Sequence, residues 1–289
     1  MKKVKIIVDS TGDMPQEWSK KLDVETIPLH VLWSEEKSEK DTREESGIAD
    51  FWSRLKQTQK LPTTSQPTPK EFSELYDRFF SEGYEGIFVI TISAKLSGTY
   101  NSATIAAKDQ EKEIVVWDSR LASSPLSLAA MRARELSDQG KSLEEIKQSL
   151  EEERNANQCL AFFYVSDFEF LRKGGRVSRF QSFVGSMLKI RAALTIDPNG
   201  ELVPFGKARG TAKVQELICE EASKFIPKGS SVKLAMVHAD NLSECKEVQA
   251  KLSDQYKVLD SVFTPMGKII SSHVGPGTAG FGIYWMKSE

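Results

Sequence analysis

Cysteine and histidine are scarce in this 289-residue chain, with three of each. Cys159, Cys219 and Cys245 lie far apart and form no CxxC pair. That spacing argues against a zinc ribbon or a disulfide framework, and the three read as small buried hydrophobes in a reducing compartment. His30, His238 and His273 form no HExxH or HxH pair, so no metal site is expected. An excess of one charge is also lacking. Lys plus Arg number 39 and Asp plus Glu 41, a net charge of −2. Such a balance offers no global attraction to nucleic acid or to an anionic membrane. No apolar run approaches the ~20 residues of a membrane span, and the N-terminal run Val4 to Val8 is too short for a signal peptide. A cytoplasmic protein without membrane insertion is expected. The GxxxxGK[ST], GxGxxG and GxSxG patterns are missing, and no nucleophile is paired with a base. The chain therefore reads as non-catalytic, with no cofactor of its own.

Hydrophobic residues make up 39% and charged residues 28%, the range of a globular protein with room for two domains. Val4 to Val8 reads as a strand ending in the polar turn Asp9-Ser10-Thr11-Gly12-Asp13, with a helix from about Pro15. Val24 to Trp33 reads as one strand, and residues 34–47 as a polar loop. Thr68-Pro69-Lys70-Glu71 is a capping box with proline at the first helical position. Phe72, Leu75, Tyr76, Phe79 and Phe80 then share one helix face, and Gly83 marks its end. Ile87 to Ile92 fits a strand buried on both sides. A helix from about Ser97, a strand at Ile114 to Trp117, a helix from Leu126 to Gln139 and a second capping box at Ser142 continue the alternation. This predicts an α/β domain with a mainly parallel sheet.

Beyond Cys159 the rhythm changes. Leu160 to Val165 reads as a strand and Phe168 to Lys173 as a short helix stopped by glycine. Asp197-Pro198-Asn199-Gly200 is a hairpin turn between Ala192 to Ile196 and Leu202 to Phe205. Two helices, two strands and a Gly-rich C-terminal stretch follow. The fold class expected is α/β in two domains: an N-terminal mainly parallel α/β sandwich, residues 1–157, and a C-terminal mixed α+β domain, residues 158–289.

Loops leaving the carboxyl ends of parallel strands are where such sheets bind ligands. Four polar clusters fall there: Asp9 to Thr11, Thr63 to Pro67, Ser97 to Ser102, and Ser271 to Thr278. Ser97-Gly98 would place a hydroxyl and free N–H groups at a helix N-terminus, which favours an anion. Plain helix capping by Ser97 is the alternative. His273, beside Gly275-Pro276-Gly277, reads as a loop residue.

Eight short motifs in order carry a resemblance. They are Val8-Asp9-Ser10-Thr11, Ile27-Pro28-Leu29, Leu61-Pro62-Thr63-Thr64-Ser65-Gln66-Pro67, and Leu96-Ser97-Gly98-Thr99-Tyr100-Asn101-Ser102-Ala103. Asp118-Ser119, Lys173-Gly174-Gly175-Arg176-Val177-Ser178, Lys207-Ala208-Arg209 and His273-Val274-Gly275-Pro276-Gly277-Thr278 complete the series. In this order they resemble the DegV family of bacterial fatty-acid-binding proteins, from about residue 4 to 284.

The resemblance implies two domains enclosing one long-chain fatty acid as ligand. Thr64, Ser65, Ser97, Gly98, Thr99 and His273 would hold or stand near its carboxylate. Arg176 would lie at the pocket mouth or domain interface, and Lys207 and Arg209 on a surface that docks a partner. That partner would be the catalytic subunit of a fatty acid kinase, which makes the acyl phosphate for phospholipid synthesis. The alternatives are a small-molecule phosphotransferase or hydrolase using the Gly-rich loops, and a lipid-responsive regulatory protein. The chain departs from the family at Arg191-Ala192-Ala193-Leu194, where Lys-Pro-Ile-Leu is common, which puts the start of that strand in question. Phe79, Phe80 and Phe183 could line the tail or belong to ordinary core.

Overall fold

The structure, a computed structural model, describes residues 3–177 and 190–287. Ser178 and Phe183 lie outside the described residues. The first half runs β1 (Val4–Asp9), α1 (Gln16–Lys21), β2 (Val24–Ile27), β3 (His30–Leu32), β4 (Ser38–Lys40), α2 (Glu45–Gln57), β5 (Thr63–Ser65) and α3 (Pro69–Ser81). It continues through β6 (Gly86–Thr91), α4 (Thr99–Lys108), β7 (Glu113–Asp118), α5 (Pro125–Asp138) and α6 (Leu143–Asn155).

Strands β2-β1-β6-β7 form a four-stranded sheet in that order, parallel throughout. The central strands β1 and β6 are buried along their whole length because both faces are covered. Ile7, Ile87 and Val89 point to α3 and α4, where Phe72, Tyr76 and Phe79 pack. Ile6, Val8, Phe88 and Ile90 point the other way, to α5 and α6. Both sequence-predicted capping boxes form. Thr68 and Ser142 accept from the N–H groups of Glu71 and Glu145, whose carboxylates reach back to the cap N–H.

The second half contains β8 (Cys159–Val165), α7 (Phe168–Gly174), β9 (Ile190–Ile196), β10 (Leu202–Arg209), α8 (Thr211–Ser223) and β11 (Ser231–His238). It ends with α9 (Leu242–Ser253), β12 (Lys257–Pro265), α10 (Lys268–Val274) and β13 (Ala279–Trp285). These strands make a six-stranded mixed sheet, β10-β9-β8-β13-β11-β12, parallel only between β11 and β12. One face packs on α8 and α9 through Phe162, Met236 and Phe281. The other turns inward, toward α2, α7 and α10. The α/β class with one parallel and one mixed sheet is as the sequence predicts.

Three expectations need correction. Val24 to Trp33 is two strands in different sheets, split after Ile27, where Pro28 removes a ladder donor. Residues 34–47 are not all loop. They supply β4, which joins β3 and β5 in a small antiparallel sheet, and the first turn of α2. The Gly-rich C-terminal stretch contains α10 and β13, so His273 is a helical residue and not a loop residue. The alanine-for-proline departure leaves the strand intact: β9 begins at Ile190, and Arg191 pairs with Ala208.

Candidate functional site

A largely apolar cavity of about 120 Å³ lies between the carboxyl ends of β1, β6 and β7 and the inward face of the six-stranded sheet. Its walls include Ile92 and Leu96 after β6, Ala122 after β7, Ala161 and Phe163 of β8, and Ile269 and Ile270 of α10. Thr64, Ser65, Gln66, Ser97, Gly98, Arg176 and His273 supply polar atoms to the same cavity. Loops from three strand ends and one helix thus meet at one space, the arrangement a parallel sheet favours for a ligand.

Carboxylates at two strand ends, Asp9 buried and Asp118 half-buried, fix the geometry of these loops. Asp9, at the end of β1, accepts from Ile92 N (2.6 Å) and Thr11 N (3.0 Å). Asp118, at the end of β7, accepts from Ala94 N (3.0 Å). The chain from Ile92 to Ser97 is therefore tied to both neighbouring strands. On the other side, β3 pairs with β5 and sets Thr64 opposite Val31. His30 of β3 also sits 3.0 Å from Glu71, the capping carboxylate of α3, which braces the segment carrying Thr64 and Ser65.

Thr64 Oγ1 and His273 Nε2 are 2.9 Å apart. Burial holds the His273 pKa down to about 4, and the nearby Arg176 guanidinium lowers it further within that balance. The ring is neutral at pH 7. Ser97 Oγ lies 2.9 Å from Thr99 Oγ1. The residue in the N-cap position of α4 is Gly98, without a side-chain cap bond. Ser97, one residue earlier, accepts from Thr99 N (3.4 Å), the first N–H of the helix, so it caps α4 as well as lining the cavity. A carboxylate placed here would meet hydroxyls, a helix N-terminus and one cation, the groups that stabilise an anion.

Of the residues named from sequence, Thr64, Ser65, Ser97, Gly98, Arg176 and His273 line the cavity. Thr99 is buried and braces Ser97 without lining the cavity. Arg176 is exposed, and it lines an outer groove of about 490 Å³ that shares Thr64 and His273 with the cavity. Lys207 and Arg209 are exposed on β10, away from the lining. Phe79 of α3 packs against the parallel sheet with Phe80 beside it, and neither reaches the cavity. Thr11, of the first polar cluster, also lines the wall, and sequence reasoning missed Ser123 and Ser124, two further hydroxyl residues there. Their only signal was their place just after β7.

Comparison with known proteins agrees with this architecture. The family model for DegV proteins, described there as uncharacterised, matches residues 3–285. A fatty acid-binding protein of Thermotoga maritima is 45% identical over 281 residues, covering 97% of each chain. A solved structure from Thermotoga maritima, reported to reveal fatty acid binding function, superposes with TM-score 0.93 at 42% identity, covering 99% of this chain and 100% of that one. The fatty acid kinase B3 protein of Streptococcus pneumoniae, solved loaded with linoleic acid, shares the fold, with TM-score 0.82 at 22% identity over 99% of this chain and 100% of that one. The two-sheet fold with a largely apolar cavity between its halves defines a class of small-molecule-binding α/β proteins. Within it, this chain belongs to the DegV family.

Proposed function

We propose that this protein binds one long-chain free fatty acid, with its tail in the apolar cavity and its carboxylate at the polar cluster. The observation that carries this reading is the meeting of Thr64, Ser65, Ser97, Gly98 and His273 in one otherwise apolar space, with Arg176 beside them. The hydroxyls of Thr64 and Ser97 donate to the carboxylate, and the N-terminus of α4 adds its dipole. Thr99 acts through Ser97. Each methylene moved from water into the cavity contributes roughly 0.8 kcal/mol, so a long chain outweighs the entropy lost on binding. Residues 1–157 form the headgroup-binding domain, and residues 158–289 close over the tail.

The bound acid is then presented to a separate fatty acid kinase subunit. That subunit supplies ATP chemistry, and this protein supplies position and no nucleophile. The ordered motifs of the family resemblance support this assignment. Arg176 stands where the carboxylate meets the outer groove, and Lys207 and Arg209 offer a basic docking surface. The acyl phosphate feeds phospholipid synthesis in the cytoplasm.

Native mass spectrometry of the purified protein, followed by extraction of the bound molecule, tests the first half. A one-to-one fatty acid is expected. A protein that takes up no fatty acid on titration but binds nucleotide would replace this reading with the phosphotransferase alternative. Ser97→Ala is expected to weaken retention roughly tenfold, as loss of one hydrogen bond to a charged group would, and to impair acyl phosphate formation with the kinase. Normal binding and normal phosphorylation in that variant would remove Ser97 from the headgroup site.

A further inference from the structure

Besides the headgroup cluster, three hydroxyl residues stand in the cavity wall: Thr11, Ser123 and Ser124. Two of them have their protons engaged. Thr11 Oγ1 donates to Asp9 and Ser123 Oγ donates to Asp13 (2.6 Å), both fully buried carboxylates. Ser124 differs. Its side chain is wholly buried, and its Oγ has no hydrogen-bond partner among the described residues.

The local backbone explains why that hydroxyl is free. Ser124 occupies the N-cap position of α5, where serine ordinarily bonds an N–H of the first turn from an extended backbone. Here φ is −53° and ψ is −25°, already helical, and no side-chain cap bond forms. Much of the first turn is satisfied otherwise. Pro125 lacks an N–H, Leu126 N donates to Ser123 O (2.9 Å), and Leu128 N donates to Ser124 O (3.3 Å). The hydroxyl is therefore not spent on holding α5. Close packing confines it: Gly282 of β13 faces it, and a Cβ at Gly282 would stand 2.9 Å from Ser124 Oγ. Polar atoms so deeply buried are nearly always paired, and an unmet donor in an apolar wall is costly. A ligand that brings an acceptor to this point removes that cost. A plain methylene does not.

We propose that Ser124 reads the acyl tail. Its hydroxyl donates to an electron-rich group along the chain, either a hydroxyl or oxo oxygen or the π face of a cis double bond. The cavity then selects such an acid over a saturated chain of equal length. This inference rests on the fatty-acid reading above and adds tail specificity to it.

The test uses stripped full-length protein and an equimolar mixture of C18 acids: stearate, cis-octadecenoates and mid-chain hydroxystearates. Bound fractions are read by native mass spectrometry for the wild type and for Ser124→Ala. The wild type is expected to prefer at least one acceptor-bearing acid over stearate. In the variant that preference should fall roughly threefold to tenfold, the range of one net hydrogen bond, with stearate binding retained. The class of acid whose preference falls identifies the group that is read. Equal preference ratios in the two proteins, for every acid, overturn the proposal. So does a marked drop in the variant's thermal stability, because it would reveal a structural partner for the hydroxyl. If the wild type binds no C18 acid at all, the fatty-acid reading itself fails, an outcome distinct from the others.

Discussion

His273 carries two opposed influences. Burial and the Arg176 cation disfavour its imidazolium, while its Nε2 shares a hydrogen bond with Thr64. With Nε2 protonated, the ring donates to Thr64 Oγ1, and the threonine hydroxyl is left to donate to a ligand. An arriving carboxylate adds a negative charge within reach of the same pair. It favours the imidazolium and offsets the repulsion from Arg176. The His273 pKa, about 4 without ligand, is therefore expected to rise when a fatty acid binds. An NMR titration of the histidine ring protons, with and without saturating lipid, reads this directly. His30 and His238 serve as internal references. An unchanged His273 value would place the carboxylate elsewhere, even if the lipid binds.

At the scale of elements, β13 is the strand that sequence patterns conceal best. It lies in the middle of the six-stranded sheet, between β8 and β11. Its alternate glycines serve close approach. A Cβ at Gly280 would stand 2.2 Å from Phe163 Cβ and 2.4 Å from Phe162 O. Gly280→Ala is expected to cost about 3 kcal/mol or more of stability, as overpacking of a rigid interior does. Urea unfolding measures it, and a loss below ~1 kcal/mol would mean the sheet yields at this point. The same glycines explain what the sequence hid. Glycine depletes the β-branched signal of a strand, so the Gly-rich C-terminal stretch shows no strand pattern in the sequence. In contrast, β6 and α3 were legible because burial on both faces and a capping box leave patterns in one short window. The polar residues of the cavity wall were legible through the ordered motifs of the family resemblance, since their spacing alone fits plain capping as well. Ser124 was not, because it took the arrival of Gly282, 158 residues later in the chain, to define its surroundings.

Across the whole molecule, the two sheets are joined through a buried ionic network behind the cavity. Asp13 Oδ1 accepts from Gly267 N (2.7 Å) and from Arg43, whose Nη2 also donates to Thr264 Oγ1 (2.9 Å). Asp41 Oδ1 accepts from Lys268 N (2.7 Å), and Lys268 Nζ reaches Glu39 (3.1 Å). These bonds anchor the start of α10, the helix that carries Ile269, Ile270 and His273 into the cavity wall. Three carboxylates, Asp9, Asp13 and Asp41, are buried close together, and the Arg43 guanidinium faces two of them, Asp13 and Asp41. Desolvation raises the pKa of Asp41 to about 6, against Arg43, which pulls it down, and Asp13, which adds repulsion. Its folded value exceeds its unfolded one, so the folded state binds the proton more tightly. The stability linked to Asp41 is present at low pH and is lost as pH rises through about 6. Asp41→Asn removes this dependence and keeps an acceptor for Lys268 N. Relative to wild type, the variant is expected to gain about 1 to 2 kcal/mol between pH 5 and pH 7.5, the direction set by a raised carboxylate. Urea unfolding of both proteins at the two pH values gives the difference, in which every other titrating group cancels to first order. A difference that stays constant with pH would mean that Asp41 is ionised throughout, and that the joint between the sheets holds its charge without a proton.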